Sequence, residues 1–158
     1  MCASRWSRTG AGGTLALLND AAPRAMQGDP MKGRKQAAPR ALVVDDDEHL
    51  VVAITDLLHD AGYEVRTAYD GHLAIQWLST GDAPDVIVLD LVMPRVSGFE
   101  VLNWMRQHDL QIPVVLATTE DDVRANDVGA VVKLSKPFTR EELLDAVATA
   151  LRATAQVG

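Results

Sequence analysis

A single cysteine, Cys2, stands among 158 residues. No internal disulfide can form, and a reducing cytoplasmic setting is the simplest reading. No apolar stretch approaches the ~20 residues that a membrane-spanning helix requires. The chain has neither GxxxxGK followed by Ser or Thr nor a GxGxxG after its first strand-like run. The glycine-rich phosphate cradles of nucleotide enzymes are therefore absent. His49, His59, His72 and His108 lack a spacing that would bring them together on a metal. Trp77 and Trp104 fall on predicted helices, where packing against the core or a partner is the expected role.

Basic charge is scarce where nucleic acid would need it. The net charge of −7 divides unevenly: residues 1–40 carry seven Lys/Arg against Asp20 and Asp29, while the remainder carries eight against twenty acids. The first part is thus +5 and the second −12. An acidic domain does not bind nucleic acid by itself, but it suits a cation site and a basic protein partner. Residues 1–39 mix Gly, Ala, Pro and basic residues without period, and Leu15-Ala16-Leu17-Leu18 is too short for a signal-peptide core. They read as a disordered basic extension, or as sequence upstream of a true start at Met26 or Met31.

From Ala41 the pattern becomes regular. Ala41–Val44 is a continuous apolar run, as in a strand covered on both faces. Leu50, Ile54, Leu57, Leu58 and Ala61 follow at helical spacing, and Gly62 is placed to end that helix. Residues 63–67 alternate like an edge strand, and Asp70 is placed to cap a helix over 71–79. Residues 85–89 form the next buried strand, and Phe99, Leu102 and Met105 mark a helix. Val114–Ala117 and Ala130–Val132 are two further strands. Thr139-Arg140-Glu141-Glu142 is a capping box that opens the last helix. Five such βα units predict an α/β fold with a doubly wound parallel sheet over residues 40–152, followed by a short tail at 153–158.

Polar chemistry is concentrated at the predicted strand ends: Asp45-Asp46-Asp47, Asp90, Thr118 and Lys136. Strand ends in an open parallel sheet converge on one edge, where such folds bind ligands. Asp90 is followed by Met93-Pro94, which stiffens its turn. Asp45 and Asp46 beside it would repel it, and a divalent cation is the simplest way to keep all three ionised. Mg²⁺ prefers one or two carboxylates, waters and phosphate oxygens. Asp47 and Glu48 instead suit the first turn of the following helix. Thr118 and Lys136, each of which could be a loop cap or a solvated charge, can together bind two phosphoryl oxygens. A carboxylate nucleophile with an electrophile clamp and no general base predicts an acyl phosphate on Asp90 that is lost slowly.

The segments Leu42–Glu48, Val88–Gly98 and Leu134–Phe138, with Thr118 between the last two, resemble the signature of response-regulator receiver domains. The resemblance covers about residues 40–152. It implies a flavodoxin-like (βα)₅ fold with strand order 2-1-3-4-5, in which Asp90 accepts phosphoryl from a histidine kinase. It implies Mg²⁺ held directly by Asp46 and Asp90, by Asp45 mainly through water, and by the backbone carbonyl of Val92. Thr118 and Lys136 would hold the phosphoryl group.

Two features depart from that family. Lys133 occupies a position usually held by Tyr or Phe, and Thr118–Gly129 is about one helical turn short, predicting a stunted fourth helix. The expected function is a stand-alone, non-enzymatic receiver without a DNA-binding output domain. It would act through an effector protein, a histidine phosphotransfer protein or a homodimer. One alternative is a docking receiver uncoupled from phosphorylation. The other is an aspartyl-phosphate phosphatase or phosphotransferase, which would want a second acid at Val92.

Overall fold

The computed structural model describes residues 37–156, so the expectation for residues 1–36 lies outside the described residues. The chain runs β1 (Arg40–Val44), α1 (Glu48–Asp60), β2 (Glu64–Ala68), α2 (Gly71–Ser79), β3 (Val86–Leu89), α3 (Gly98–Gln107), β4 (Val114–Thr118), a 3₁₀ turn (Ala125–Val128), β5 (Val132–Ser135) and α4 (Arg140–Ala155). The five strands are all parallel and ordered β2-β1-β3-β4-β5. This is the doubly wound sheet expected from the sequence.

Burial follows the residue types. The three inner strands β1, β3 and β4 are buried along their whole length, whereas β2 and β5 at the edges are partly exposed. Alternate residues Ala41, Val43, Val86, Val88, Val115 and Ala117 pack on one face against Val51, Ile54 and Leu58 of α1 and Leu143, Val147 and Ala150 of α4. Their neighbours Leu42, Val44, Ile87, Leu89 and Leu116 point to the other face, as the two-residue period of a strand requires. On α1 the deeply buried stripe is Val51, Ile54 and Leu58. Leu50 and Leu57 pack only at its margin.

Helix starts follow local chemistry. Asp47, Asp70, Ser97 and Thr139 each accept first-turn backbone amides, and Ser97–Glu100 and Thr139–Glu142 are complete capping boxes. The final helix continues to Ala155, beyond the 152 boundary.

Two differences concern the β4–β5 region. The fifth strand runs over Val132–Ser135 rather than Ala130–Val132. Val131 already donates to the carbonyl of Val114, and the pairing then continues through polar Lys133 and Ser135. An edge strand tolerates those residues because one side faces solvent. The stunted fourth helix is only the 3₁₀ turn, ended by Gly129 at φ 81°. A cleft of about 440 Å³ lies beside it, lined by Leu102, Met105, Arg106, Val128, Gly129 and Val131 among others.

Candidate functional site

β1 and β3 are neighbours, and each ends by delivering a carboxylate to the same edge. Asp45 follows Val44 and Asp90 follows Leu89, residues that pair across the two strands. Asp90 donates its amide to the Val44 carbonyl, and the Asp45 amide reaches Ala68 at the end of β2. Both side chains are buried, at 2% and 6% exposure, while Asp46 is exposed. One ligand atom from each of Asp45, Asp46 and Asp90 lies within 4.8 Å of the others.

Lys136 enters from the end of β5. Its Nζ lies 2.5 Å from Asp45 Oδ2 and 3.5 Å from Asp90 Oδ2. The second oxygen of Asp45 accepts the Asp47 amide, and Asp90 Oδ1 accepts the Val92 amide at 3.3 Å. Burial raises the Asp90 carboxyl above its ordinary pKa. The Lys136 ammonium opposes that shift and the Asp45 charge adds to it.

Three carboxylates against one ammonium leave two negative charges in a partly desolvated, all-oxygen donor set. A hard divalent cation fits that set in both charge and ligand type.

The backbone around Asp90 is held by close approach. A Cβ on Gly98 would stand 2.2 Å from the Asp90 carbonyl oxygen, so the first residue of α3 must be glycine for the helix to seat there. The Gly98 amide donates to Leu91. Gly71, the first residue of α2, abuts Val96 of the same loop, where its Cβ would meet the carbonyl oxygen at 2.4 Å. Arg95 in that loop takes φ 69°. Sequence reasoning placed Gly98 in the family segment and Gly71 at a helix start but gave neither a role. Their signal is a glycine at a helix start already capped by Ser97 or Asp70, where capping alone gives no reason for one.

Thr118 is fully buried at the end of β4. Its hydroxyl accepts the Glu120 amide at 3.2 Å, and its carbonyl accepts the Lys136 amide at 3.0 Å. The Lys136–Pro137 peptide is cis. Thr119, Lys136, Pro137, Phe138 and Leu50 line a recess of about 360 Å³. The structure thus gathers Asp45, Asp46, Asp90 and Lys136, with Val92 on the adjoining turn and Thr118 tied to Lys136 through its backbone. Trp77 packs under Arg66 and bonds the Thr67 carbonyl, while Trp104 stacks on His108. Among the described residues no helix is long and apolar enough to cross a membrane.

Residues 41–148 match the family model described as the response regulator receiver domain. The chain is 38% identical over 109 residues to the transcriptional regulatory protein DltR of Streptococcus agalactiae, covering 66% of this chain and 48% of that protein. It is 39% identical over 119 residues to the response regulator MprA of Mycobacterium ulcerans, covering 73% and 51%. It thus spans about half the length of the curated relatives it matches. Among solved structures, the Vibrio cholerae chemotaxis protein CheY4 superposes with a TM-score of 0.67 at 35% identity, covering 73% of this chain and all of that one. The Thermotoga maritima response regulator TrrA, solved with Mg²⁺ and BeF, gives 0.65 at 30% identity over 72% and 99%. With five parallel strands in the order 2-1-3-4-5 and a family match across nearly all of the described residues, this chain belongs to the response regulator receiver domain family of two-component systems.

Proposed function

We propose that this chain is a phosphorylation-controlled receiver in which Asp90 accepts a phosphoryl group from a histidine kinase. The observation that carries the reading is the convergence of Asp45, Asp46 and Asp90 within 4.8 Å, with the Lys136 ammonium reaching two of them.

An Asp90 oxygen attacks the phosphorus of a phosphohistidine. The P–O bond forms as the P–N bond breaks, and the imidazole leaves with the bonding pair and takes up a proton. Asp45, Asp46, Asp90 and the Val92 carbonyl would hold Mg²⁺, which neutralises charge on the phosphoryl oxygens when bound. Lys136 offsets the charge of the acceptor and binds a phosphoryl oxygen, and Thr118 turns its hydroxyl to another. Val92 offers no group to orient water, so hydrolysis is slow and the chain serves as a carrier of state rather than as a phosphatase.

The phosphorylated surface is read by an effector protein, a histidine phosphotransfer protein or a second copy, in the cytoplasm and without direct contact to nucleic acid. The test is intact-mass analysis after incubation with Mg²⁺ and acetyl phosphate. One added phosphoryl group, lost in Asp90→Asn, supports the reading; no adduct where a control receiver is labelled sinks it.

A second reading is favoured by one observation. Lys133 bonds a loop carbonyl, and the β4–β5 crossover holds only a 3₁₀ turn. A docking receiver uncoupled from phosphate would bind Mg²⁺ and a phosphoryl mimic with no change in partner affinity, which calorimetry separates from the first reading.

A further inference from the structure

Three hydrogen bonds fasten the turn that follows Thr118. The Thr118 carbonyl accepts from the Lys136 amide at 3.0 Å, and the Thr118 hydroxyl accepts from the Glu120 amide at 3.2 Å. The third comes from farther away: Lys133 Nζ donates to the Asp121 carbonyl at 2.9 Å. Lys133 pairs with Leu116 in the β4–β5 ladder, two residues before the Thr118–Ser135 pair. Its long side chain therefore runs along the sheet edge and meets the loop three residues past Thr118. Thr119, inside the fastened segment, forms one wall of the recess that Lys136 also lines. The loop beyond has little else to hold it. Glu120, Asp121 and Asp122 are exposed, and the following 3₁₀ turn buries no residue.

We propose that Lys133 is a positioning residue: through the Asp121 carbonyl it fixes the turn carrying Thr118 and Thr119, and so sets how readily water enters beside a phosphorylated Asp90. The inference rests on the receiver reading of the site. A phenylalanine ring at this position has no donor for a carbonyl, and a tyrosine has a single hydroxyl at the end of a rigid ring, whereas lysine brings three donors on a flexible stem. Lysine makes the turn a held element, with a net hydrogen bond as the latch. Hydrolysis, in which water attacks phosphorus, the P–O bond to Asp90 breaks and the carboxylate leaves, then depends on how often that latch opens.

The test compares the full chain with Lys133→Met, which keeps the stem and removes the donor, and Lys133→Arg, which restores a donor. Amide hydrogen exchange over residues 119–123 is followed without phosphoryl, and decay of the acetyl-phosphate adduct is followed by intact mass. The expected result is about fivefold faster exchange in that segment and about fivefold faster decay for Lys133→Met, the factor a single net hydrogen bond carries. Labelling stays as in the wild type, the unfolding midpoint falls by no more than that single hydrogen bond accounts for, and Lys133→Arg recovers both rates. Unchanged exchange and decay in Lys133→Met overturns the proposal. So does exchange that quickens more across the sheet than in residues 119–123 with a midpoint lowered beyond that one bond, since that marks a merely structural lysine. If no variant takes up phosphoryl, the receiver reading fails, while the exchange arm still decides whether Lys133 holds the turn.

Discussion

The Lys136 ammonium lies 2.5 Å from Asp45, joining the end of β5 to the end of β1 across 91 residues of sequence and two intervening strands. Their side chains are only 16% and 3% exposed. Neither charge is well solvated, and each depends on the other more than a surface pair would.

Replacing Lys136 by Met removes, among the described residues, the only ammonium set against the three carboxylates. In EDTA the loss is expected to be about 1–3 kcal/mol, the cost of leaving a buried polar group without its partner. Millimolar Mg²⁺ should recover part of it by replacing the missing positive charge. Urea unfolding with and without Mg²⁺ measures both, and an equal loss in the two buffers would contradict a shared charge balance.

Asp90 supplies a pH prediction with a definite sign. Its carboxyl is raised by burial, so the folded state holds the proton more tightly than the unfolded chain does. That contribution is fully present below the unfolded carboxylate value of about 3.9 and is lost as pH rises through the folded value. Asp90→Asn carries no such charge. In metal-free buffer it should be more stable than the wild type at pH 7, with the difference disappearing near pH 4. Thermal unfolding across that range is the measurement, and a difference that grows toward low pH would reverse the assignment.

Gly98→Ala should be costly at a position where alanine ordinarily favours a helix. The added methyl meets the Asp90 carbonyl oxygen at 2.2 Å, inside any tolerated contact. Either α3 backs away or the Asp90 loop shifts, at about 1–3 kcal/mol. Urea unfolding reads the stability loss, and slower labelling by acetyl phosphate reads the displaced acceptor.

The opposite end of the sheet carries an independent ionic cluster. Arg40, 4% exposed, bonds Asp82 at 2.7 Å and the Ala83 carbonyl, and its amide donates to Asp85. Asp82→Ala should lose about 1–3 kcal/mol, because Arg40 loses one partner but keeps Asp85 and the Ala83 carbonyl. Mg²⁺ should not restore that loss, and labelling at Asp90 should remain. Unfolding with and without Mg²⁺ separates this cluster from the acidic one.

The first four strands, the caps at Asp70 and Thr139 and the polar residues at the strand ends were legible because each is written in a short stretch of sequence. Asp70 and Thr139 announce helix starts by residue type, and Ala41–Val44 announces a buried strand by its unbroken apolar run. Arg40 opens the domain but was summed with the basic segment in the charge division, and only the fold brings Asp82 and Asp85 around it. The Lys133 tether to Asp121 and the Gly98 approach to Asp90 were hidden because they depend on where loops lie. Val51 escaped the predicted stripe on α1 because Leu50 and Leu57 offered an equally regular helical period.

The strand order has a consequence in time. β5 is an edge strand and the last to emerge during synthesis, and Lys136 stands at its end. A chain interrupted before that point already carries Asp45, Asp46 and Asp90 but lacks the Lys136 ammonium that sits among them. The charge balance around the three carboxylates is thereby completed only when β5 joins the sheet, so the proposed acceptor site and the sheet edge close together.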